Sequence, residues 1–266
     1  MELLEFVKKI ELQQSIIDRV ILLIDKNKNE YEKYILDLID YKKAEKTYEM
    51  LSKMYKEDTE NFHILAIYLL ACLKTYELYL KKGIDEKIFI DTMKCFKRFI
   101  DECEVKTKKV YFDRPWWTYR QVSMTLFRIL QLEFELDYKT KCISIHVPSD
   151  AILTIDNVLD SINKAKEFFK KYYGDFKDEY YISSWLLSPK LKKHLKENSN
   201  IIKFQNLFEL INVDENDNSV LQWVFHINET ENYTLLKEDT SLQKSIKKDL
   251  INGYKVGSGF AKLKNI

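Results

Sequence analysis

The spacing of apolar residues changes near residue 117, and this change constrains the fold more than any other feature of the sequence. Within residues 2–24, apolar side chains recur at the three-and-four spacing of an amphipathic helix. Similar stretches follow at roughly 29–39, 42–56, 60–82 and 86–103, and no proline precedes Pro115. The first hundred or so residues are therefore predicted to be entirely helical.

Beyond residue 117 the apolar period is two, as expected for strands, whose side chains alternate between faces. Helical patterns interrupt the strands at about 156–173, after Pro189, after Ser199 and after Thr240, which forms a capping box with Gln243. The predicted strands are TYRQVSMTLF, ILQLEFELDY, CISIHV, YYISSWLL, FELINV and VLQWVFHI. The sequence thus predicts an α+β protein with an all-helical N-terminal domain at 1–108 and a second domain at 109–266.

The charges nearly cancel, with 43 basic and 42 acidic residues and a net charge of +1 at pH 7. No overall field draws the protein to nucleic acid or to an anionic membrane, so neither is predicted as a partner. The N-terminal stretch MELLEFVKKIELQ mixes charges into its apolar pattern, unlike a signal peptide, and no apolar run approaches about 18 residues. We therefore expect a cytoplasmic protein.

Two residue types limit the chemistry. The four cysteines lack C-x-x-C or zinc-site spacing, so reduced, mostly buried thiols and no metal are predicted; they are Cys72, Cys95, Cys103 and Cys142. No arginine follows Arg128. Because arginine is the usual bidentate clamp for phosphate, an anion bound by the second half must rely on lysine or on backbone N–H groups.

A polar sheet face follows from strand parity. In ILQLEFELDY and CISIHV, apolar faces oppose each other only if the numbers of paired residues sum to an odd value. This parity predicts Glu135 opposite Ser144 and Glu133 opposite His146. The same test on the first two predicted strands sets one row of polar residues beside another, namely Gln121, Ser123 and Thr125 beside Gln131, Glu133 and Glu135.

The polar face has two interpretations. It faces water, as in many antiparallel sheets, or it forms the floor of a cleft in which Glu133 or His146 accepts a proton. A carboxylate beside an imidazole orients the ring and stabilises its charged form, an arrangement that suits a general base and also occurs in inert surface pairs.

Familiar catalytic motifs are absent from the sequence. There is no Walker sequence, no G-x-S-x-G elbow and no H-E-x-x-H, so the motifs of P-loop kinases, serine hydrolases and zinc proteases are missing. The segment GSG at 257–259 follows a helix and is interpreted as a turn. His226 alternates with Gln222 and Val224 in a predicted strand, so it is a further candidate to reach a cleft.

The order of the elements resembles a known superfamily. Three antiparallel strands, a helix, a strand, a helix and further strands are similar to the GNAT superfamily of N-acyltransferases. More specific phrases resemble the GNAT-like C-terminal domain of a group of bacterial acyltransferase-like proteins that also carry a helical N-terminal domain: WWTYRQVSMTLFRILQLEFEL, ISIHVPSDAIL, SWLLSPKLKKHL, SNIIKFQNLFEL and DTSLQKSIKKDLINGYKVGSGFAKL. The resemblance implies a mixed, mainly antiparallel sheet flanked by helices.

The resemblance also implies a binding site for acyl-coenzyme A as co-substrate. In the superfamily this ligand binds where two parallel strands splay apart, here CISIHV and YYISSWLL, with its pyrophosphate on N–H groups at the following helix N-terminus. The residues implied for the donor site are His146, Val147, Ser149, Asp150, Ala151 and Trp185, and those for proton transfer are Glu133 and His146. A small-molecule or peptide amine would be the acceptor.

One segment departs from the superfamily pattern. The loop after the first of these strands is usually rich in Gln or Arg and glycine, whereas VPSDAILTID has no glycine and carries Asp150 and Asp156. Acidic side chains near a pyrophosphate favour the competing class, a noncatalytic protein that binds a peptide or small molecule on the same fold. The order of strands and helices favours the enzyme.

Overall fold

A computed structural model describes residues 1–227 and 229–265 of the chain. By compactness the chain divides into two units, Met1–Ile129 and Leu130–Ile266. The division follows residue 129 rather than 108, because the segment between them packs with the helices. Thr75 Oγ1 donates a hydrogen bond to Val122 O at 2.6 Å, and Thr92 Oγ1 accepts one from Arg128 N at 2.9 Å. The domain limits expected from the sequence, 1–108 and 109–266, stay a prediction.

The first unit is helical except for one short strand at its end. Its described elements are α1 (Leu3–Lys9), α2 (Gln14–Leu38), α3 (Ala44–Met54), α4 (Phe62–Lys82), α5 (Glu86–Met93), α6 (Cys95–Thr107), α7 (Pro115–Val122) and β1 (Leu126–Ile129). By length and composition alone α4 would pass as a membrane-spanning helix, yet 61% of its apolar stretch is buried inside the protein. This burial is usual for a helix at the centre of a core.

The helix limits follow the expected signals in part. Gly83 ends α4 with φ at 71°, and the Asp85 side chain caps α5 by accepting from Lys87 N at 2.7 Å. The first break differs from the predicted one. It lies at Ile10–Gln13, where Glu11 adopts φ of 61°. Helix α2 continues through the polar residues at 25–30 because their side chains are exposed or half-buried. All four cysteines are free and buried, as predicted.

The predicted strand TYRQVSMTLF is wrong over most of its length. Pro115 occupies the first turn of α7, which continues to Val122, and only Leu126–Ile129 forms a strand. Thr118, Tyr119 and Val122 are buried together at helical spacing, a pattern that a short alternating segment also fits. The predicted pairing of Gln121, Ser123 and Thr125 with the second strand is therefore wrong as well.

The second unit combines a sheet with helices. Its described elements are β2 (Leu132–Asp137), β3 (Cys142–His146), α8 (Ile155–Tyr172), β4 (Tyr180–Ser184), α9 (Asn200–Gln205), β5 (Phe208–Asp214), α10 (Ser219–Phe225), α11 (Ser241–Ile251) and β6 (Ser258–Leu263), with 3₁₀ turns at Trp185–Leu187, Pro189–His194 and Tyr233–Leu235. The predicted capping box of Thr240 and Gln243 is confirmed, and Ser199 caps α9 by accepting from Ile202 N.

The strands of this unit lie in the order β2-β3-β4-β6-β5. Only the β3–β4 pair is parallel, so the sheet is mixed and mainly antiparallel, as expected. Its apolar face packs against α8, where the rings of Phe134 and Phe169 lie 6.2 Å apart in an edge-to-face contact. The predicted α+β class is confirmed.

Two assignments near the end of the chain are wrong. The predicted strand VLQWVFHI is α10, because Val220, Leu221, Val224 and Phe225 are buried together at helical spacing. His226 follows this helix with φ of 59° and is exposed, so it does not alternate along a strand toward a cleft.

The segment interpreted as a turn at 257–259 belongs partly to β6, which lies between β4 and β5. Only Gly257 has the turn conformation, with φ of 71°.

Candidate functional site

The β2–β3 hairpin has the register that parity predicted. Glu133 lies opposite His146, and Glu135 lies opposite Ser144. Since directly opposed residues of neighbouring strands point to the same side, these four side chains share the face away from α8. The hairpin therefore provides a row of carboxylates beside a histidine.

The parallel ladder between β3 and β4 is short. Within the described sheet it joins only Ile143 to Tyr180 and Ser144 to Tyr181. Beyond these residues β3 continues on β2 through His146, while β4 continues on β6 through Ser184. The two central strands thus stop pairing with each other while each remains fixed on its outer side. This opening lies immediately before the loop that leads into α8.

The register arranges the polar face in two rows across the strands. The first row runs from Glu135 through Ser144 and Tyr181 to Lys262, and the second contains Glu133, His146, Ser183 and Phe260. The second row crosses the opening between β3 and β4. His146 and Ser183 therefore stand on its two sides.

Glu133 and His146 are in different environments. Glu133 is only 3% exposed, whereas His146 is half-buried and its Nε2 lies 2.8 Å from Glu135 Oε2. Glu135, the diagonal neighbour of His146, thus holds the imidazole through a direct contact. Because Glu133 is buried while Ser183 is exposed, the polar face is not uniformly solvated.

The loop between β3 and α8 carries most residues predicted for the donor site. Val147 and Ala151 are half-buried, and Ser149 and Asp150 are exposed. The Ala151 N–H closes a turn on Pro148 O at 3.0 Å.

This loop is also tied to the start of β2. The N–H of Ile152 donates to Gln131 Oε1 at 2.9 Å, and the N–H of Gln131 donates to Ser161 Oγ at 3.0 Å. The side chain of Thr154 does not cap α8, and Asp156 lies in its first turn. The structure therefore brings His146 and the loop residues to one end of the opening.

Trp185 begins the 3₁₀ turn that follows β4. Because β3 and β4 are parallel, this turn and the loop after β3 lie at the same end of the opening. Trp185 is half-buried and packs against a hydrophobic cluster formed by the segment between β4 and β6, including Leu191, Val220 and Ile246. The side chain thus belongs to a small core, while its place directly after β4 keeps it at the border of the opening.

Sequence reasoning missed the residues that β6 contributes to the polar face. The ring of Phe260 stacks on that of Tyr181 at 5.7 Å between centroids, and Lys262 Nζ lies 2.6 Å from Glu179 Oε1. The hydrogen bond from Lys262, followed by one from Cys142, lowers the pKa of Glu179, and the same carboxylate raises the pKa of Lys262. The alternation of Phe260 and Lys262 with apolar Ala261 and Leu263 was the available signal of a strand.

The comparison with protein families identifies this fold. The family described as the GNAT-like C-terminal domain matches residues 45–261, which is most of the chain. The protein belongs to this family. No curated protein sequence matches the chain.

Solved structures with the same fold are acyltransferases. One was crystallised with decanoyl-CoA and teicoplanin (TM-score 0.80, 19% identity, 98% of this chain and 87% of that chain). Another contains CoA and 10C-teicoplanin (TM-score 0.78, 18% identity, 98% and 87%). A third contains decanoyl-CoA (TM-score 0.70, 21% identity), and there the match spans 77% of this chain and 66% of that chain, just under two thirds of it. At these identities the likeness establishes the fold.

Proposed function

We propose that the protein transfers an acyl group from acyl-CoA to an amine. The observation that carries this proposal is the opening between β3 and β4, two parallel neighbours that pair over two residues and then continue on separate partners. Such an opening leaves backbone groups of both strands available to an extended ligand. The proteins of this fold that were crystallised with acyl-CoA support the same donor here.

The thioester arm would lie along β3, and the pyrophosphate would lie at the loop before α8. The donor residues we propose are those expected from the resemblance: His146, Val147, Ser149, Asp150, Ala151 and Trp185. Without arginine in this half of the chain, backbone N–H groups at the start of α8 are the natural phosphate donors. The carboxylates of Asp150 and Asp156 repel the negatively charged phosphates, so we expect modest affinity for the pyrophosphate.

The acyl transfer itself needs a base near the opening. The nitrogen of the neutral amine attacks the thioester carbonyl, the new C–N bond forms as the C–S bond breaks, and the proton of the attacking nitrogen must leave. We assign its removal to His146 or Glu133, directly or through water, and the thiolate of CoA takes up a proton on release. Glu135 holds the His146 ring in place through the 2.8 Å contact. A small-molecule acceptor is supported by the teicoplanin complexes of the related fold.

Thermal unfolding with acetyl-, succinyl- and decanoyl-CoA tests the donor. A ligand that binds only the folded state stabilises it by about 2.7 kcal/mol at a hundredfold excess over Kd. We expect a rise of several degrees in Tm with at least one of these compounds. The absence of any rise, with all three present at millimolar concentration, would refute the donor assignment.

Substitutions test the proton acceptor. In Glu133→Gln and His146→Ala, turnover should fall at least about tenfold while the thermal shift with acyl-CoA persists, because the base acts after binding. Glu197→Gln removes an exposed carboxylate on the same unit and serves as the matched control, with turnover unchanged. Wild-type turnover in both site variants would remove the assignment.

A noncatalytic binding function is the second candidate. It is favoured by the loop before α8, where no glycine is present and Asp150 and Asp156 are exposed. In that case an uncharged or cationic ligand should raise Tm whereas every acyl-CoA should leave it unchanged.

A further inference from the structure

An aromatic side chain lies exposed on the sheet face that surrounds the opening. Phe260 of β6 is 41% exposed, although its ring stacks on Tyr181 at an interplanar angle of 9°. The contact therefore covers one side of the Phe260 ring and leaves part of the ring open to solvent. The exposed part of the ring is available for contact with a ligand.

A chain of contacts along the strands holds this ring. Tyr181 lies between Phe260 and the ammonium group of Lys262, whose Nζ is 5.5 Å from the Tyr181 ring centroid. Lys262 is itself fixed by Glu179, and the Tyr181 hydroxyl donates to the same carboxylate at 3.5 Å. These contacts hold the Phe260 ring in place before a ligand binds. Stacking of a ligand on the ring therefore costs little side-chain entropy of the protein.

The register places Phe260 beside the proposed reaction site. Its partners on the two neighbouring strands are Ser183 and Asn212, both exposed and polar. Ser183 forms one side of the opening, and His146 stands on the other side in the same row. A ligand on the Phe260 ring would therefore have polar groups on either side and the proposed base across the opening.

The charges on this face favour a cation. The register and the contacts above bring six carboxylates to it together with Lys262; the carboxylates are those of Glu133, Glu135, Asp137, Glu179, Glu209 and Asp214. An alkyl amine is protonated and positively charged in neutral solution, so this field attracts it, and it gives that proton to water or to the proposed base before it attacks. Ammonium groups are also attracted to aromatic faces.

We propose that Phe260 is a specificity-determining residue for the acceptor, and that the acceptor is a positively charged alkyl amine whose chain also bears a flat ring that stacks on Phe260. This inference rests on the proposed acyl transfer, which it deepens by naming the class of acceptor. The ring of the ligand would cover the open side of Phe260, Ser183 and Asn212 would contact polar substituents, and the amine would point toward His146.

Steady-state kinetics with two amines tests the ring preference. Tyramine joins an alkyl amine to a flat ring through a short chain, and n-hexylamine has the same charge without a ring. With the acyl-CoA that raises Tm as donor, wild-type kcat/KM for tyramine should exceed that for n-hexylamine about tenfold.

The variant Phe260→Leu keeps an apolar side chain and removes the ring. It should abolish the preference for tyramine by raising the KM for tyramine, while the KM for acyl-CoA stays unchanged. Tyr254→Leu removes another exposed ring of the same unit, 63% exposed, and is the matched control that should keep the preference. Equal rates for both amines in the wild type, or an unchanged preference in Phe260→Leu, would overturn the proposal.

A binding measurement separates this inference from the proposed reaction. In saturation-transfer NMR without donor, tyramine ring protons should receive saturation from the wild-type protein and from Tyr254→Leu, and much less from Phe260→Leu. This result, together with no Tm shift with acyl-CoA, would exclude the proposed reaction but support the ring-binding site at Phe260. A Tm shift with acyl-CoA, with equal saturation of tyramine in all three proteins, would exclude the ring-binding site and support the donor assignment. In that case the Tyr181–Phe260 contact only stabilises the sheet.

Discussion

The side chain of His194 is almost completely buried, with 2% of its surface exposed. Its Nδ1 is 2.5 Å from Ser245 Oγ, and its Nε2 is 3.1 Å from Asp249 Oδ2 without hydrogen-bond geometry. Burial lowers the pKa of this histidine from 6.5, the Asp249 charge opposes that change, and Lys193 adds to it. The ring therefore joins the turn at 189–194 to α11 in its neutral form.

Stability should consequently fall in mildly acidic solution. Because the pKa of His194 is lower in the folded state than in the unfolded state, its contribution is complete above pH 6.5 and is lost as the pH falls toward the folded pKa. Wild-type protein should lose unfolding free energy between pH 7.5 and pH 5.5 in urea titrations. His194→Gln should lose less over the same interval, whereas His226→Gln, which replaces an exposed histidine, should behave as the wild type. Identical pH dependence in all three proteins would contradict the argument.

Glu135 is a positioning residue if His146 is the base. Its carboxylate accepts from or pairs with His146 Nε2, and it is only partly exposed. Glu135→Gln retains the size of the side chain and removes the charge, so the ring should be held less firmly and kcat should fall about tenfold or more, with the KM for acyl-CoA unchanged. Glu135→Asp keeps the charge on a shorter side chain, so its kcat should lie between that of Glu135→Gln and that of the wild type. A kcat equal to that of the wild type in Glu135→Gln, measured over pH 6–9, would exclude this role.

At the scale of elements, the packing of β6 depends on the absence of a side chain at Gly259. A Cβ on Gly259 would lie 2.6 Å from the carbonyl oxygen of Leu187 and 2.8 Å from Leu210 Cδ1. Since the carbonyl belongs to backbone that cannot rotate away, Gly259→Ala should cost about 1–3 kcal/mol of unfolding free energy. Gly174→Ala, whose Cβ would approach only Lys170 O at 3.3 Å, should stay within about 1 kcal/mol of the wild type. Chemical denaturation measures both, and equal stability of the two variants would disprove the packing argument.

The sequence predicts long elements and hairpin register better than short elements. α8 and the Glu133–His146 pairing were predicted because an apolar stripe and an alternating pattern each extend over enough residues to fix the period. VLQWVFHI and TYRQVSMTLF are only eight and ten residues long, so their apolar residues fit both periods until their packing partners are known. Those partners are distant in the chain, as for α10 in its cluster with Ile246.

The site shows the same limit. The hairpin half of the polar face was predicted with its register, because both strands are adjacent in sequence and joined by a short turn. The half from β6 was missed, because Phe260 reaches Ser183 only through pairing between segments separated by most of the second unit. The diagonal contact of His146 with Glu135 also required side-chain conformations that parity does not provide.

For the whole molecule, near-zero net charge predicts a solubility minimum close to neutral pH. The net charge is +1 at pH 7, and the isoelectric point is about 7.6. Because like-charge repulsion between molecules is weakest there, the polyethylene glycol concentration needed for precipitation should be lowest near pH 7.5 and higher at pH 6 and pH 9. A monotonic dependence across this range would show that patches rather than net charge control association.

The place of β6 in the sheet has a kinetic consequence. β6 lies between β4 and β5, and both are distant from it in the chain, so its pairing is slow during refolding and these two strands present open edges until it forms. On β5 the side chains of Leu210 and Ile211 are 44% and 54% exposed even in the folded state. An unpaired β5 edge with exposed apolar side chains favours association with another molecule. Late insertion of a middle strand therefore competes with strand pairing between molecules, and the yield after dilution from denaturant should decline steeply as protein concentration increases.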